Sequence, residues 1–258
     1  MIRAPLWLLA ALIAAAIAAP ILAPYGPEDI DLARRREPPS AAHWLGTDDL
    51  GRDVVARVLH GARVSLSIGL LSAAVAGASG VTIGGVAGYA GGWIDAVLMR
   101  GTDAMLAVPR LPLLMIVSAF LQPSIPQLVV LIGLAGWMET ARVVRAEFLT
   151  LRAREFVESA RASGAGHARV MLVHLLPNAA RAVVVSITLA VARAILLESA
   201  LSFFGVGVQP PAASWGNMLY AAQSTIGTEP WLAVVPGMFI LMTAIAVNAV
   251  GDRVASTR

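Results

Sequence analysis

The sequence predicts an all-α polytopic membrane protein with six transmembrane helices. Three observations carry that reading. Of 258 residues, 58% are hydrophobic and 14% charged, and the mean hydropathy is +0.76. A soluble domain carries about 25% charged residues, so this chain lacks the polar side chains to cover a water-facing surface. The apolar residues gather in runs close to the ~20 residues that a ~30 Å hydrocarbon core requires. Trp7, Trp93, Trp137 and Trp231 stand near the ends of those runs, as interfacial aromatics do.

The first run covers residues 6–23 and makes residues 1–24 the first transmembrane helix. Its small residues at 16–19 also fit a signal-peptide cleavage site; the length of the run and the membrane character of the remaining chain favour a span. Residues 25–63 are polar and turn-rich, with Arg34-Arg-Arg36 and Pro38-Pro39. Within them, residues 53–63 place Val54, Val55, Val58 and Leu59 on one helical face, with Arg57 and His60 toward the other side. That pattern suits a short helix lying in the membrane interface.

Residues 64–252 then hold five further spans. The run 64–93 has no charge, and Gly80, Gly84, Gly88 and Gly92 recur every four residues along it. Overlapping G-x-x-x-G units form a ridge that lets another helix approach closely. The remaining runs are 105–121, 127–144, 183–204 and 231–250, followed by a tail at 253–258. Pro109 and Pro112 should distort the run 105–121, since each removes a backbone donor.

Six spans leave both termini on one side. That side carries eleven Arg: Arg3, Arg100, the seven from Arg142 to Arg181, Arg253 and Arg258. The other side carries six: Arg34, Arg35, Arg36, Arg52, Arg57 and Arg63. Excess Arg marks the cytoplasmic face, which puts the termini and the 145–182 loop in the cytoplasm. The first outer loop runs against that trend. The pI near 10.1 follows from these span-end arginines, so nucleic acid is not an expected partner.

Composition also excludes chemistry. Without cysteine there is no disulfide or thiolate metal site. All 19 basic residues are Arg. A P-loop needs the Lys of G-x-x-x-x-G-K-[ST] to reach nucleotide phosphates, so any ATP must be bound by another chain. His43, His60, His167 and His174 lack metal-ligand spacing. No Ser-His-Asp or Gly-x-Ser-x-Gly arrangement stands out, and neither a metal nor a catalytic site is expected.

The cytoplasmic loop at 147–180 is the most distinctive segment. Residues 147–166 read as helix, which Gly164 and Gly166 can end through a left-handed cap. Ser159, Ala160 and Ala162 are small enough for a partner backbone to come close, and Glu155 and Glu158 offer carboxylates to a partner Arg. Pro177 should break the chain before the next span. The residues alone fit two readings equally: a docking surface for a soluble partner, or a solvated basic loop near anionic lipid headgroups.

Glu158-Ser-Ala-x-x-x-Gly164, nine more residues, then His174-x-Leu-Pro177 resembles the EAA loop of ABC transporter permease subunits, from which Ser159 and His174 depart. The ending His174 to Asn178 is similar to that of the dipeptide, oligopeptide and nickel branch. So are Leu45-Gly-Thr-Asp-Asp-Leu-Gly-Arg-Asp53, Gly61-Ala-Arg-x-Ser-Leu66, Gly88-Tyr-x-Gly-Gly-Trp93, Gly205-Val-Gly-Val-Gln-Pro-Pro211 and Ser214-Trp-Gly-Asn-Met218. The resemblance runs from the first span to about Asp252. It implies a type I importer permease fold in a bacterial inner (plasma) membrane. It implies a second permease, often a different chain, two ATPase subunits that bind ATP and Mg, and a periplasmic or extracellular substrate-binding protein. This chain would bind no cofactor. Glu155, Glu158, Ser159, Ala160, Gly164 and Pro177 would form the coupling segment that meets the ATPase. Cargo would be peptides, nickel chelates, glutathione or related small solutes.

Ionisable residues inside spans are costly and are functional candidates. Arg110, Arg193 and Glu198 qualify as residues of a translocation path. Arg193 and Glu198 are five apart, about 140° around a helix, and should not pair directly. Arg193 instead faces the path with a preference for carboxylate-bearing cargo, pairs with an acid on the partner permease, or snorkels to the interface. The competing reading is an ion-coupled secondary transporter or channel, which would show inverted repeats or mid-membrane coupling carboxylates; only Glu198 hints that way. A membrane-embedded enzyme would need clustered catalytic polar residues, and none is visible.

Overall fold

Long apolar runs in lipid must satisfy their backbone polar groups internally, which an α-helix does. The computed structural model describes residues 4–121 and 124–256, and it is mostly helical. In chain order the helices are α1 (Ala4–Ile17), α2 (Ala19–Leu22), α3 (Val54–Ala90), α4 (Gly92–Ala107), α5 (Arg110–Phe120), α6 (Ile125–Leu134), α7 (Trp137–Leu151), α8 (Glu155–Ala162), α9 (His167–Arg169), α10 (Leu176–Phe203), α11 (Trp215–Ala222) and α12 (Trp231–Ser256). α3, α12 and the rod His167–Phe203 are each long and apolar enough to cross a membrane. The pairs α4–α5 and α6–α7, bent by 83° and 43°, qualify as broken spans. That gives three to five crossing elements, and α1 is a further, shorter apolar helix compatible with the expected sixth. Arg3 and Arg258, both counted for orientation, lie outside the described residues.

The glycine ridge packs as its spacing predicts, over three of its four members. A Cβ on Gly80 would lie 2.7 Å from the Trp137 carbonyl oxygen. One on Gly84 would lie 2.8 Å from Ala141 Cα, and one on Gly88 2.7 Å from the Arg145 carbonyl oxygen. α3 and α7 thus touch backbone to backbone. Gly92 is not part of this seam. It has φ +56 with nothing within 4 Å of its would-be Cβ, and with Gly91 it turns the chain from α3 into α4.

Three expectations about element boundaries are corrected. Residues 54–63 are not a separate interfacial helix but the first turns of α3. Asp53 caps that helix, its side chain accepting from Ala56 N at 2.8 Å, and nothing before Ala90 interrupts it. Arg57, expected toward a polar face, is buried. Its Nε lies 3.4 Å from Asp48 Oδ2, and its Nη1 donates to the Pro27 carbonyl at 3.2 Å. Asp48 also accepts from Arg52 Nε at 2.7 Å. One buried carboxylate therefore serves two of the six arginines that sat awkwardly in the outer loop.

The run 105–121 is the second correction. Met105 lies in the last turn of α4, which runs to Ala107, and the chain then bends at Pro109 into α5, so the expected single run is divided between two helices. Pro112 falls in the first turn of α5, where a missing N–H is tolerated. α4 is held to α7 by ion pairs: Asp95 to Arg145, bidentate at 2.5 and 2.6 Å, and Asp103 to Arg142. Third, Pro177 does not break the chain. It occupies the first turn of α10, and the π-type stretch Val170–Leu175 just before it widens the helix there. A wider turn accommodates the ring and the absent donor without interrupting the rod.

Candidate functional site

The expected helix at 147–166 is two helices. Arg152, the C-cap of α7 and itself in helical conformation, donates from Nη1 to the carbonyls of Gly88 and Tyr89, at 3.2 and 3.3 Å. Those carbonyls end α3 and have no intrahelical partners. Arg154 then takes an extended conformation (φ −85, ψ 148) from which α8 starts afresh.

α8 is a short helix with one anchor. Val157 is fully buried among Val144, Phe148, Val170 and Leu175. Glu155, Glu158, Ser159 and Arg161 face outward. The predicted left-handed cap is present at Gly164, φ +84. Ala165 N donates to the Ala160 carbonyl at 3.0 Å and Gly164 N to the Arg161 carbonyl at 2.9 Å, the paired bonds of a Schellman motif. A hollow of about 430 Å³ beside this cap is lined by Ala160, Gly164, Arg169 and His174. Pro177 lies farther along the rod, exposed on its surface.

Tyr89, at the end of α3, joins this segment to the bundle. Its hydroxyl lies 2.7 Å from His167 Nδ1, and the Arg161 guanidinium sits 5.2 Å from its ring centroid. A cation over an aromatic face is attracted by the ring quadrupole. These contacts link α8 and α9 to the end of α3. Tyr89 and His167 were not among the residues picked out as coupling residues; the aromatic at the end of a charge-free span was the available signal.

The three path candidates separate into two sites. Arg110 Nη2 contacts Glu139 Oε1 at 2.7 Å, and Arg193 Nε contacts Glu139 Oε2 at 3.0 Å. One carboxylate from α7 thus holds guanidinium groups from α5 and α10. Glu139 was overlooked, although it is the one acid in the run 127–144. Arg193 and Glu139 line a cleft of about 710 Å³ that extends past Glu147, Asn178 and Arg181 to Ala255.

Glu198 is elsewhere, fully buried at 0% exposure. It accepts from Ser65 Oγ at 3.0 Å and Ser202 Oγ at 2.8 Å. Ser65 Oγ also accepts from Trp215 N at 3.2 Å, and Trp215 Nε1 donates to the Val58 carbonyl at 3.1 Å. The carboxylate ties α10 to α3 and, through Ser65, to α11. As expected, it does not pair with Arg193.

A bundle of crossing helices with a polar cleft and a charged helix pinned outside it has the form of a membrane transport subunit. The model for "binding-protein-dependent transport system inner membrane component" matches residues 80–256. That for the "N-terminal TM domain of oligopeptide transport permease C" matches residues 4–39. A peptide permease protein of Brucella suis is 44% identical over 231 residues, 89% of this chain and 76% of that protein. The dipeptide transport system permease protein of Bacillus subtilis is 39% identical over 250 residues, 96% and 78% of the two chains. The glutathione transport system permease protein of Pectobacterium atrosepticum is 38% identical over 242 residues, 93% and 80%. The chain belongs to the binding-protein-dependent transport system inner membrane component family, and it is a multi-pass permease subunit of an ABC transporter.

Proposed function

We propose that this permease carries peptides or related small solutes inward and is driven by separate ATPase subunits docked on the segment 155–177. The single observation that carries the coupling assignment is the construction of α8. Val157 fixes it to the bundle, while Glu155, Glu158 and Ser159 are exposed and, among the described residues, their side chains make no hydrogen bond or ion pair. A helix held rigidly by one buried side chain presents its outer face for docking and passes on any push it receives. Ala160 and Gly164 border the adjacent hollow, where a partner side chain fits. Pro177 and the widened turn before it lead from the docking face into α10.

In this reading two ATP-binding subunits hold ATP and Mg, since a chain without lysine has no P-loop. A second permease, a homologous chain, closes the path. A periplasmic or extracellular binding protein delivers cargo, and the termini and α8 lie in the cytoplasm. Cargo follows from the relatives, whose names give peptides, dipeptides and glutathione; the polar cleft beside Arg110 and Arg193 is the stretch of path this chain supplies. The buried Glu198 shapes the wall by clamping α10 to α3.

Co-purification from a membrane extract tests the assignment. The complex should contain a P-loop ATPase, and Glu158→Arg should reduce its recovery and ATP-driven uptake together. A stable, transport-active complex with no ATPase would refute it.

A further inference from the structure

The Arg110–Glu139–Arg193 cluster holds two cations and one anion, leaving a net positive charge among helices that cross the membrane. An ionised group there is costly unless it is paired or faces a polar cavity. Arg193 approaches Glu139 with Nε, 3.0 Å from Oε2. Among the described residues its two terminal amino groups form no hydrogen bond. The side chain is 37% exposed and lines the cleft of about 710 Å³, a size within the ~300–1,000 Å³ of small-molecule sites. A guanidinium with its outer edge open presents two parallel N–H donors, the geometry that grips a carboxylate bidentately. Glu139 is equally exposed to the same cleft, so an incoming carboxylate competes with a resident one. Such competition keeps the site weak enough to release what it binds, as passage requires.

Resting on the transport reading above, we propose that Arg193, backed by Arg110, is a carboxylate-binding station on the path. It receives the free carboxylate of a peptide or similar small acid in exchange for part of its contact with Glu139. No bond is made or broken; the cargo passes from one charged partner to the next.

The test is ATP-driven uptake by the whole complex in proteoliposomes, with the cognate binding protein saturated by a peptide or by its C-terminal amide. The readout is the acid-to-amide ratio at saturation, which removes the binding protein's own preference for either cargo. Arg193→Gln should lower that ratio about tenfold. Arg193→Lys, which keeps the charge but loses the fork, should lower it less. Glu139→Gln frees both guanidinium groups, slows release and should reduce acid uptake relative to amide. A ratio unchanged in both Arg193 variants overturns the station. So does loss of the second permease from the purified Arg193→Gln complex with the ratio intact, because Arg193 then serves a fixed acid on that chain. If the unaltered complex takes up neither peptide, the transport reading itself fails.

Discussion

Gly84→Ala offers a quantitative test of the α3–α7 seam. The added Cβ would stand 2.8 Å from Ala141 Cα and 2.9 Å from Ala141 C, where carbon pairs prefer about 3.5–4.0 Å. Ala141 contributes backbone atoms, so no rotamer change relieves the contact and the helices must part by roughly 1 Å. A gap of that size forfeits about a quarter to a half of each contact's ~0.1–0.2 kcal/mol. Over several tens of atom pairs along the seam this comes to ~1–3 kcal/mol, the usual cost of overpacking. Alanine's better helix propensity returns about 1 kcal/mol. Gly101→Ala in α4 isolates that gain, because nothing lies within 4 Å of its would-be Cβ. The two variants should therefore differ by ~1–3 kcal/mol. At the ~2–4 °C per kcal/mol typical of chains this long, the melting midpoints of the detergent-purified complex should differ by roughly 2–12 °C, with Gly84→Ala lower. Equal upward shifts would refute the claim that α3 and α7 meet backbone to backbone.

Removing the Glu198 side chain as Glu198→Ala strips the acceptor from Ser65 and Ser202 and opens a void. A loss of about 2–4 kcal/mol is expected, visible as a lower melting midpoint, with Glu198→Gln much milder. Gly164→Ala meets no steric obstacle but must hold φ +84, a backbone cost of about 1–2 kcal/mol. It should loosen the cap, speed proteolytic nicking near residues 163–166 and lower uptake. Tyr89→Phe deletes the hydroxyl contact to His167 while keeping the ring under Arg161. Loss of about 1 kcal/mol of coupling should lower solute moved per ATP hydrolysed several-fold, and Tyr89→Ala should lower it further. An unchanged ratio in both would remove Tyr89 from the route between α8 and α3.

Much of the site was legible because it depends on local chemistry. Gly164 ends α8 as its sequence position implied, since a left-handed cap needs only a residue without Cβ. The four-residue glycine spacing announced the α3–α7 seam for the same kind of reason: it specifies a flat helix face whatever the partner. What escaped were groups defined by their neighbours. Nothing in the sequence marked Asp95 and Asp103, and it is α7 that places Arg145 and Arg142 against them. Glu139 drew no notice in the sequence, and its role appears only where α5 and α10 bring two arginines to it. The break at residues 152–154 was hidden because Arg152 is a good helix former. The Arg152 backbone stays helical while its side chain caps α3, a contact with residues more than 60 positions away, and the chain turns only at Arg154.

By itself, the sequence determined that this chain is a helical membrane protein with several apolar spans, that it has no P-loop of its own, and which short segment resembles a coupling loop. Those properties follow from hydropathy, from the absence of lysine and from residue types at fixed local spacing, and none requires knowing what lies across the bundle. Only the tertiary structure decided that Arg57 is buried against Asp48, that Glu198 is a clamp between helices, and that Arg193 shares Glu139 with Arg110 at the edge of an open cleft. The physical reason is that a charge in a low-dielectric bundle takes its role from its partner and its access to water. Both are fixed by side chains that packing brings together from distant parts of the chain.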